Sequence, residues 1–260
     1  NFRWDSNFTL SHNKNKIKEL VRDYVHPETG ELINKDRLDV GGLGKARFIL
    51  KEGGTLGDLY TQSDLKRDDN GMVDIDPTGI VAIENNLPDI KLGSVFPKAN
   101  LAWSNHFSWK GISLSALFTA RIGGIVYSAT EAAMDQYGVS ERSALARDNG
   151  GVLVNNRTLV DAQNYYTTIG SESGLPQYYT YNATNVRLQE ASIGYLIPRK
   201  WLGNVCDIQV SVIGRNLWMI YNKAPFDPES VATTDNYYQG IDYFMLPSTR
   251  NIGFNVKINF

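Results

Sequence analysis

The chain has 260 residues, with 26 lysines and arginines against 28 aspartates and glutamates, for a formal net charge of −2. That balance excludes the basic field of a nucleic-acid binder and the acidic tail of a solvating segment. One cysteine, Cys206, excludes an intrachain disulfide framework, and three histidines (His12, His26 and His106) leave little material for zinc or proton-shuttle chemistry.

The opening stretch "NFRWDSNFTLSHN" alternates: Phe2, Trp4, Phe8 and Leu10 share one parity, and Arg3, Asp5, Asn7 and Thr9 hold the other. It carries no signal peptide and begins inside a patterned strand, which is expected of a segment of a longer protein. "KARFILKE" and "TLGDLYTQ" then read as a weaker strand pair joined at Gly53-Gly54. In "LAWSNHFSWKGISLSALFTARIGG" the odd positions Leu101, Trp103, Phe107 and Trp109 are apolar. After the turn Lys110-Gly111 the even positions Ile112, Leu114, Ala116, Phe118, Ala120 and Ile122 take over, so this is a long hairpin with a tight turn. "NVRLQEASIGYLIP" and "CDIQVSVIGRNLWMIY" form a further pair. The last strand, "NIGFNVKINF", keeps Ile252, Phe254, Val256, Ile258 and Phe260 on one face up to its final residue.

Connection lengths alternate as well. Short turns fall near 52–54, 110–111 and 199–205. Long polar connections occupy roughly 13–43, 64–98, 127–185 and 223–245, far above the ~4–6-residue median of compact domains. Eight strands with every second connection long predict an all-β fold: an antiparallel transmembrane β-barrel segment with short periplasmic turns and long extracellular loops. Lipid supplies no hydrogen bonds, so only a closed sheet can pair every backbone group while turning one apolar face outward. Two aromatic girdles are expected, with Trp4, Trp109, Tyr195 and Phe260 at one end and Tyr127, Trp218 and Tyr221 at the other. A soluble sandwich also alternates, with its apolar face in a core, but rarely carries such loops on one side. No run approaches the ~18 consecutive apolar residues of a membrane helix.

Four stretches carry a family resemblance: "LGSVFPKANLAWSNHFSWKGISLSALFTARIGGIVYS", "TNVRLQEASIGYLIPRKWL", "VSVIGRNLWMIYNKAPFDPES" and "GIDYFMLPSTRNIGFNVKINF". They resemble the C-terminal region of SusC/RagA-like TonB-dependent transporters, and "NFTLSHNKNKI" is similar to an earlier barrel strand of that family. The resemblance implies that residues 1–260 are about the last eight strands of a 22-stranded barrel, without the plug domain or TonB box. It implies an outer-membrane importer, not an enzyme, that takes up oligosaccharides captured with a SusD-like surface lipoprotein and driven by TonB with ExbB and ExbD. The alternatives are a peptide importer of the same family and a small stand-alone structural or adhesive barrel. The final strand, through Val256, Ile258 and Phe260, resembles the signal that guides assembly into the outer membrane, and strand addition gives that recognition a physical basis.

Candidate contacts with substrate or partner lie in the long connections, where tyrosines stand beside amides and acids. They are Tyr165 and Tyr166 after Gln163-Asn164; Tyr178, Tyr179 and Tyr181 after Gln177; and Tyr237, Tyr238 and Tyr243 with Asn236, Gln239 and Asp242. Flat amphipathic rings stack on sugar C–H faces while amides bond hydroxyls; the plainer role of such residues is packing of the loops or of a protein interface. No metal or other cofactor is expected. "DDNGMVDID" gathers oxygen ligands, but Lys66 stands where the first ligand of a calcium loop belongs. "GGLGKAR" lacks the residues of a phosphate loop. Ser104, His106 and Ser108 share one strand face about 7 Å apart, beyond nucleophile–base reach. "FDPES" (226–230) reads as a turn with no chemistry attached.

Overall fold

The computed structural model describes residues 2–171, 174–233 and 238–260. Six long strands form one antiparallel sheet, hydrogen-bonded in chain order: β1 (Phe2–Ser11), β2 (Ala99–Trp109), β3 (Ile112–Ile122), β4 (Asn185–Ile197), β5 (Asp207–Asn222) and β6 (Asn251–Asn259). The register turns the sequence alternation into two chemically distinct faces. Trp4, Phe107, Leu114, Ile193, Val212 and Phe254 lie in one unbroken rung across all six strands. The adjacent rung on the other face runs Arg3, Ser108, Ser113, Gly194, Ser211 and Asn255. Small and polar residues suit a face lining a wide aqueous interior better than one packed with side chains.

The apolar face is not covered. Phe2, Phe8, Ile193 and Phe254 are all more than half exposed, the last at 79%. A soluble sandwich would press this face against a second sheet; a continuous uncovered apolar face is what a lipid-facing wall presents. Two polar residues interrupt it, and both are satisfied by the rings beside them. The Trp4 indole N–H donates to Asn105 Oδ1 at 3.1 Å, and the Trp103 indole N–H donates to Ser6 Oγ at 3.0 Å. No helix among the described residues is long and apolar enough to cross a membrane.

Three differences from the sequence expectation stand out. First, the wall has six strands and not eight. "KARFILKE" and "TLGDLYTQ" become strands Ala46–Lys51 and Asp58–Thr61 of a separate sheet with Arg37–Leu43 and Ile90–Ser94. Six residues extend about 20 Å, short of a tilted crossing of a ~25 Å apolar band. They are also buried on both faces: Phe48, Ile49 and Leu50 are all core, as are Asp58 to Thr61. Second, the expected connections at 13–43 and 64–98 therefore merge with this pair into one connection between β1 and β2. Third, Tyr127 leaves the expected girdle. Its strand, Ile125–Ser128, pairs with Thr180–Asn182 and Ile241–Asp242, and Tyr127 is buried, whereas Trp218 and Tyr221 stay exposed on β5.

Antiparallel order puts the connections β1–β2, β3–β4 and β5–β6 at one end of the wall and the short turns at the other. The tight turn is built as anticipated, with Lys110 and Gly111 at φ 48° and 88°, the left-handed pair that suits a two-residue hairpin. The core sits in the long connections and not in the sheet. Phe48, Leu59, Val81 and Val95 from the first pack with Tyr127, Ile169, Leu175 and Tyr179 from the second and Ile241 from the third. Three short helices belong to it: α1 (Ala129–Gln136), α2 (Glu141–Asp148) and α3 (Ala162–Gly170). Gly170 lets α3 meet α1, since a Cβ there would lie 2.6 Å from Ala132 O.

The "DDNGMVDID" stretch folds into two turns whose carboxylates serve the backbone. Asp68 Oδ1 accepts from the Asn70 and Met72 N–H groups, and Asp76 Oδ1 accepts from those of Thr78 and Ile80. Lys66 pairs with Asp74 at 2.8 Å.

Candidate functional site

Helix α1 organises the loop assembly from both ends. Ser128 caps it, accepting from Glu131 N at 3.0 Å and donating to Asp242 Oδ2 at 2.6 Å, so the cap also binds the β5–β6 connection. Near the other end Asp135, whose side chain has no exposed surface, gathers three donors. Ser140 Oγ, the cap of α2, donates at 2.5 Å; Arg142 approaches at 2.7 Å; the Tyr179 hydroxyl donates at 2.9 Å. The Arg142 guanidinium lies 4.8 Å from the Tyr179 ring centroid. Burial, with Asp135 beside it, pushes the Tyr179 phenol well above its ordinary range.

Two clefts flank α1. The first, of about 270 Å³, lies between the helix and residues 243–244, lined by Tyr127, Ala132, Gln136, Tyr137, Tyr243 and Phe244, and no charged side chain among the described residues contributes to it. Tyr243 and Phe244 pack edge to face at 5.2 Å and are both more than half exposed. The second, of about 390 Å³, is more polar, with Asp135, Arg147, Gln163 and Tyr166 in its lining. A third opening, of about 430 Å³, lies on the polar face of the wall near its rim, among Ser11, Asn100, Thr119, Arg121, Gln189 and Glu229.

The tyrosines singled out from sequence thus separate into different roles. Tyr243 lines the first cleft and Tyr166 the second. Tyr165 packs edge to face on Tyr166 at 5.4 Å, and burial pushes its phenol up to about 12. Tyr178 is half-buried against the loop core, and Tyr181 packs on Phe226 at 5.7 Å. Tyr179 is fully buried, a core residue and not the surface contact expected of it. Tyr238 is exposed beside Phe48 at 6.5 Å. Tyr237 and Asn236 lie outside the described residues. Val256 and Ile258 sit on the apolar face opposite Val210 and Ile208, and Phe260 follows them fully exposed.

Gln136, Tyr137, Tyr127 and Phe244 were not anticipated. "DQYG" at 135–138 carries the same pairing of acid, amide and ring that marked the other clusters, so its signal was present. Ser104, His106 and Ser108 share the polar face, where His106 pairs across to Ser115.

No protein-family model matches the chain. It is 25% identical over 289 aligned residues to "TonB-dependent receptor P3" of Formosa agariphila, covering 98% of this chain and 27% of that protein. Its fold matches a chain of the RagAB peptide importer in the "closed-closed" state with a TM-score of 0.65 at 16% identity, covering 100% of this chain and 27% of that one. The "open-open" state of the same importer gives a TM-score of 0.63. The chain therefore spans about a quarter of the proteins it resembles, all of them receptors or importers by name.

Proposed function

We propose that this segment of a SusC/RagA-like TonB-dependent receptor, a barrel protein of the outer membrane, is the C-terminal part of the wall and loop assembly of a nutrient importer. The observation that carries this reading is the pair of continuous rungs: one apolar and uncovered, its neighbour small and polar, with the folded connections gathered at one end. β1 and β6 each have a partner on one side only, which argues against a stand-alone barrel of these strands, because lipid does not tolerate an open edge.

In this reading the missing length of the receptor supplies the plug and remaining wall, and TonB with ExbB and ExbD supplies the energy. A SusD-like lipoprotein caps the loop end, and the cargo is an oligosaccharide. The first cleft favours that cargo: it offers rings and the Gln136 amide but no charge, a lining suited to neutral sugar faces and hydroxyls. The second reading, peptide import, is favoured by the printed function of the RagAB structures. Uptake by cells carrying the full-length receptor separates the two. Tyr243→Ala with Phe244→Ala should reduce uptake of neutral oligosaccharide several-fold with receptor levels unchanged. Loss of peptide uptake alone would establish the second reading, and unchanged uptake of both would remove the cleft from either.

A further inference from the structure

Arg187 stands on the polar face of β4, one rung below the rim, with 5% of its side chain exposed. Its rung neighbours on β3 and β5 are Thr119 and Met219, neither of which can neutralise it. The counter-charge comes from the connection β5–β6, in the stretch "FDPES". Arg187 Nη2 lies 2.8 Å from Asp227 Oδ1 and 3.3 Å from Glu229 Oε2, and Nη1 lies 3.4 Å from Asp227 Oδ2. A buried guanidinium that draws its partner from a loop pulls that loop over the rim onto the wall.

Asp227 does more than neutralise. Its carboxylate also accepts the Ser248 hydroxyl, so the outgoing limb of the connection (Asp227) and the returning limb (Ser248) meet on one side chain. Between them the chain runs past α1. Ile241–Asp242 pairs in parallel with Tyr127–Ser128, Asp242 holds the Ser128 cap, and the Phe244 N–H donates to Thr130 Oγ1 at 2.6 Å. Four residue steps lead from Phe244 to Ser248, at most about 14 Å of chain. The aromatic wall of the first cleft is therefore tethered at both sides, to α1 and to the barrel interior.

We infer that Arg187 is a positioning residue for the aromatic cleft. Through Asp227 and Ser248 it fixes where Tyr243 and Phe244 stand relative to α1, and so couples the mouth of the lumen to the capture surface outside it. A charged or hydrogen-bonding group entering the lumen beside Arg187 competes for Asp227 and loosens the cleft from below. That consequence for capture rests on the reading of the cleft given above; the mechanical coupling does not.

Hydrogen–deuterium exchange on the full-length receptor tests the coupling without any ligand. Arg187→Gln combined with Asp227→Asn neutralises the buried pair and leaves only the half-exposed Glu229 carboxylate without its partner, in contact with water, and Ser248→Ala cuts only the returning limb. Both variants should speed exchange of the amides at 240–244 by about tenfold or more, while the wall strands stay protected. Arg187→Lys, which keeps the charge, should restore most of the protection. Faster exchange confined to 226–230, with 240–244 unchanged in both variants, would overturn the inference and leave Arg187 a local anchor. Failure of the charge-neutral variant to assemble would shift the decision to Ser248→Ala alone, which leaves the Arg187 pair in place. If Tyr243→Ala and Phe244→Ala leave uptake unchanged while the exchange result holds, the capture reading falls and the coupling stands.

Discussion

The two-faced wall predicts a sharp contrast between adjacent positions on β3. This strand has 11 residues, and at a tilt of about 40° it rises about 28 Å, enough to cross the apolar band of about 25 Å. Ala116 lies one residue from its middle, on the apolar face, between Asn105 and Ala191. Ala116→Arg removes almost no packing, so its cost is that of a guanidinium held at mid-depth. The stem is too short to carry the charge to an interface about 12 Å away, and Asn105 Oδ1 already accepts from Trp4. The cost expected is about 2–4 kcal/mol, a factor of roughly 30 to 900 in the folding equilibrium. Ser115→Arg, one residue earlier, faces the polar side and loses only the 2.6 Å contact with Ser192 Oγ, so about 0.5–1.5 kcal/mol is expected. Urea unfolding of the full-length receptor in lipid vesicles measures both. Spin labels at the same positions, read with lipid-dissolved and aqueous quenchers, report the medium each one meets. Equal costs for the two variants, or lipid quenching of position 115 and not 116, would refute the assignment of the faces.

Other expectations concern the loop assembly. Tyr179→Phe leaves Asp135 one donor short and should cost the connection β3–β4 about 1–2 kcal/mol, read as faster proteolysis within 123–184 while the wall keeps its thermal stability. Gly170→Ala should cost about 1–3 kcal/mol in the same assay, because its Cβ meets the Ala132 carbonyl at 2.6 Å and backbone must shift. The Arg187–Asp227 joint should depend on pH in one direction. Burial raises the Asp227 carboxyl, but the Arg187 and Ser248 bonds outweigh it and hold it below its ordinary value. Its contribution is therefore complete above the unfolded value of about 3.9 and is lost only as pH falls through the lower folded one. Protection of residues 226–230 should persist at pH 5 and fail well below pH 4; failure near neutrality would contradict the pairing.

The wall was legible because its physics is local. Period-two alternation can be satisfied only by a strand with unlike faces, and the strands of the sheet carry it, β4 and β5 in shorter runs on either side of register shifts at 186–190. The pair around Gly53-Gly54 misled for an instructive reason. Ala46, Phe48 and Leu50 alternate like a wall strand, but Ile49 and the run Asp58–Thr61 are buried too, and short strands covered on both faces belong to a globular sheet. Length, and not parity, separates such strands from those of a wall.

The tyrosines were harder because composition does not distinguish a ring that packs from one that waits for a ligand. "QYYTY" contains all the outcomes: Tyr178 half-buried, Tyr179 wholly enclosed with its hydroxyl on Asp135, and Tyr181 packed against Phe226. What separates them is tertiary placement. The first cleft makes the same point from the other side. Two of its walls come from 127–137 and 243–244, more than a hundred residues apart, and they meet because Tyr127–Ser128 pairs in parallel with Ile241–Asp242. A parallel ladder of two residues leaves no periodicity to read. One of its polar ties, Ser128 to Asp242, uses the same hydroxyl that caps α1, so a contact that assembles the cleft also starts its helix. Ser128→Ala removes cap and tie at once, so cleft and helix are expected to loosen together in that variant.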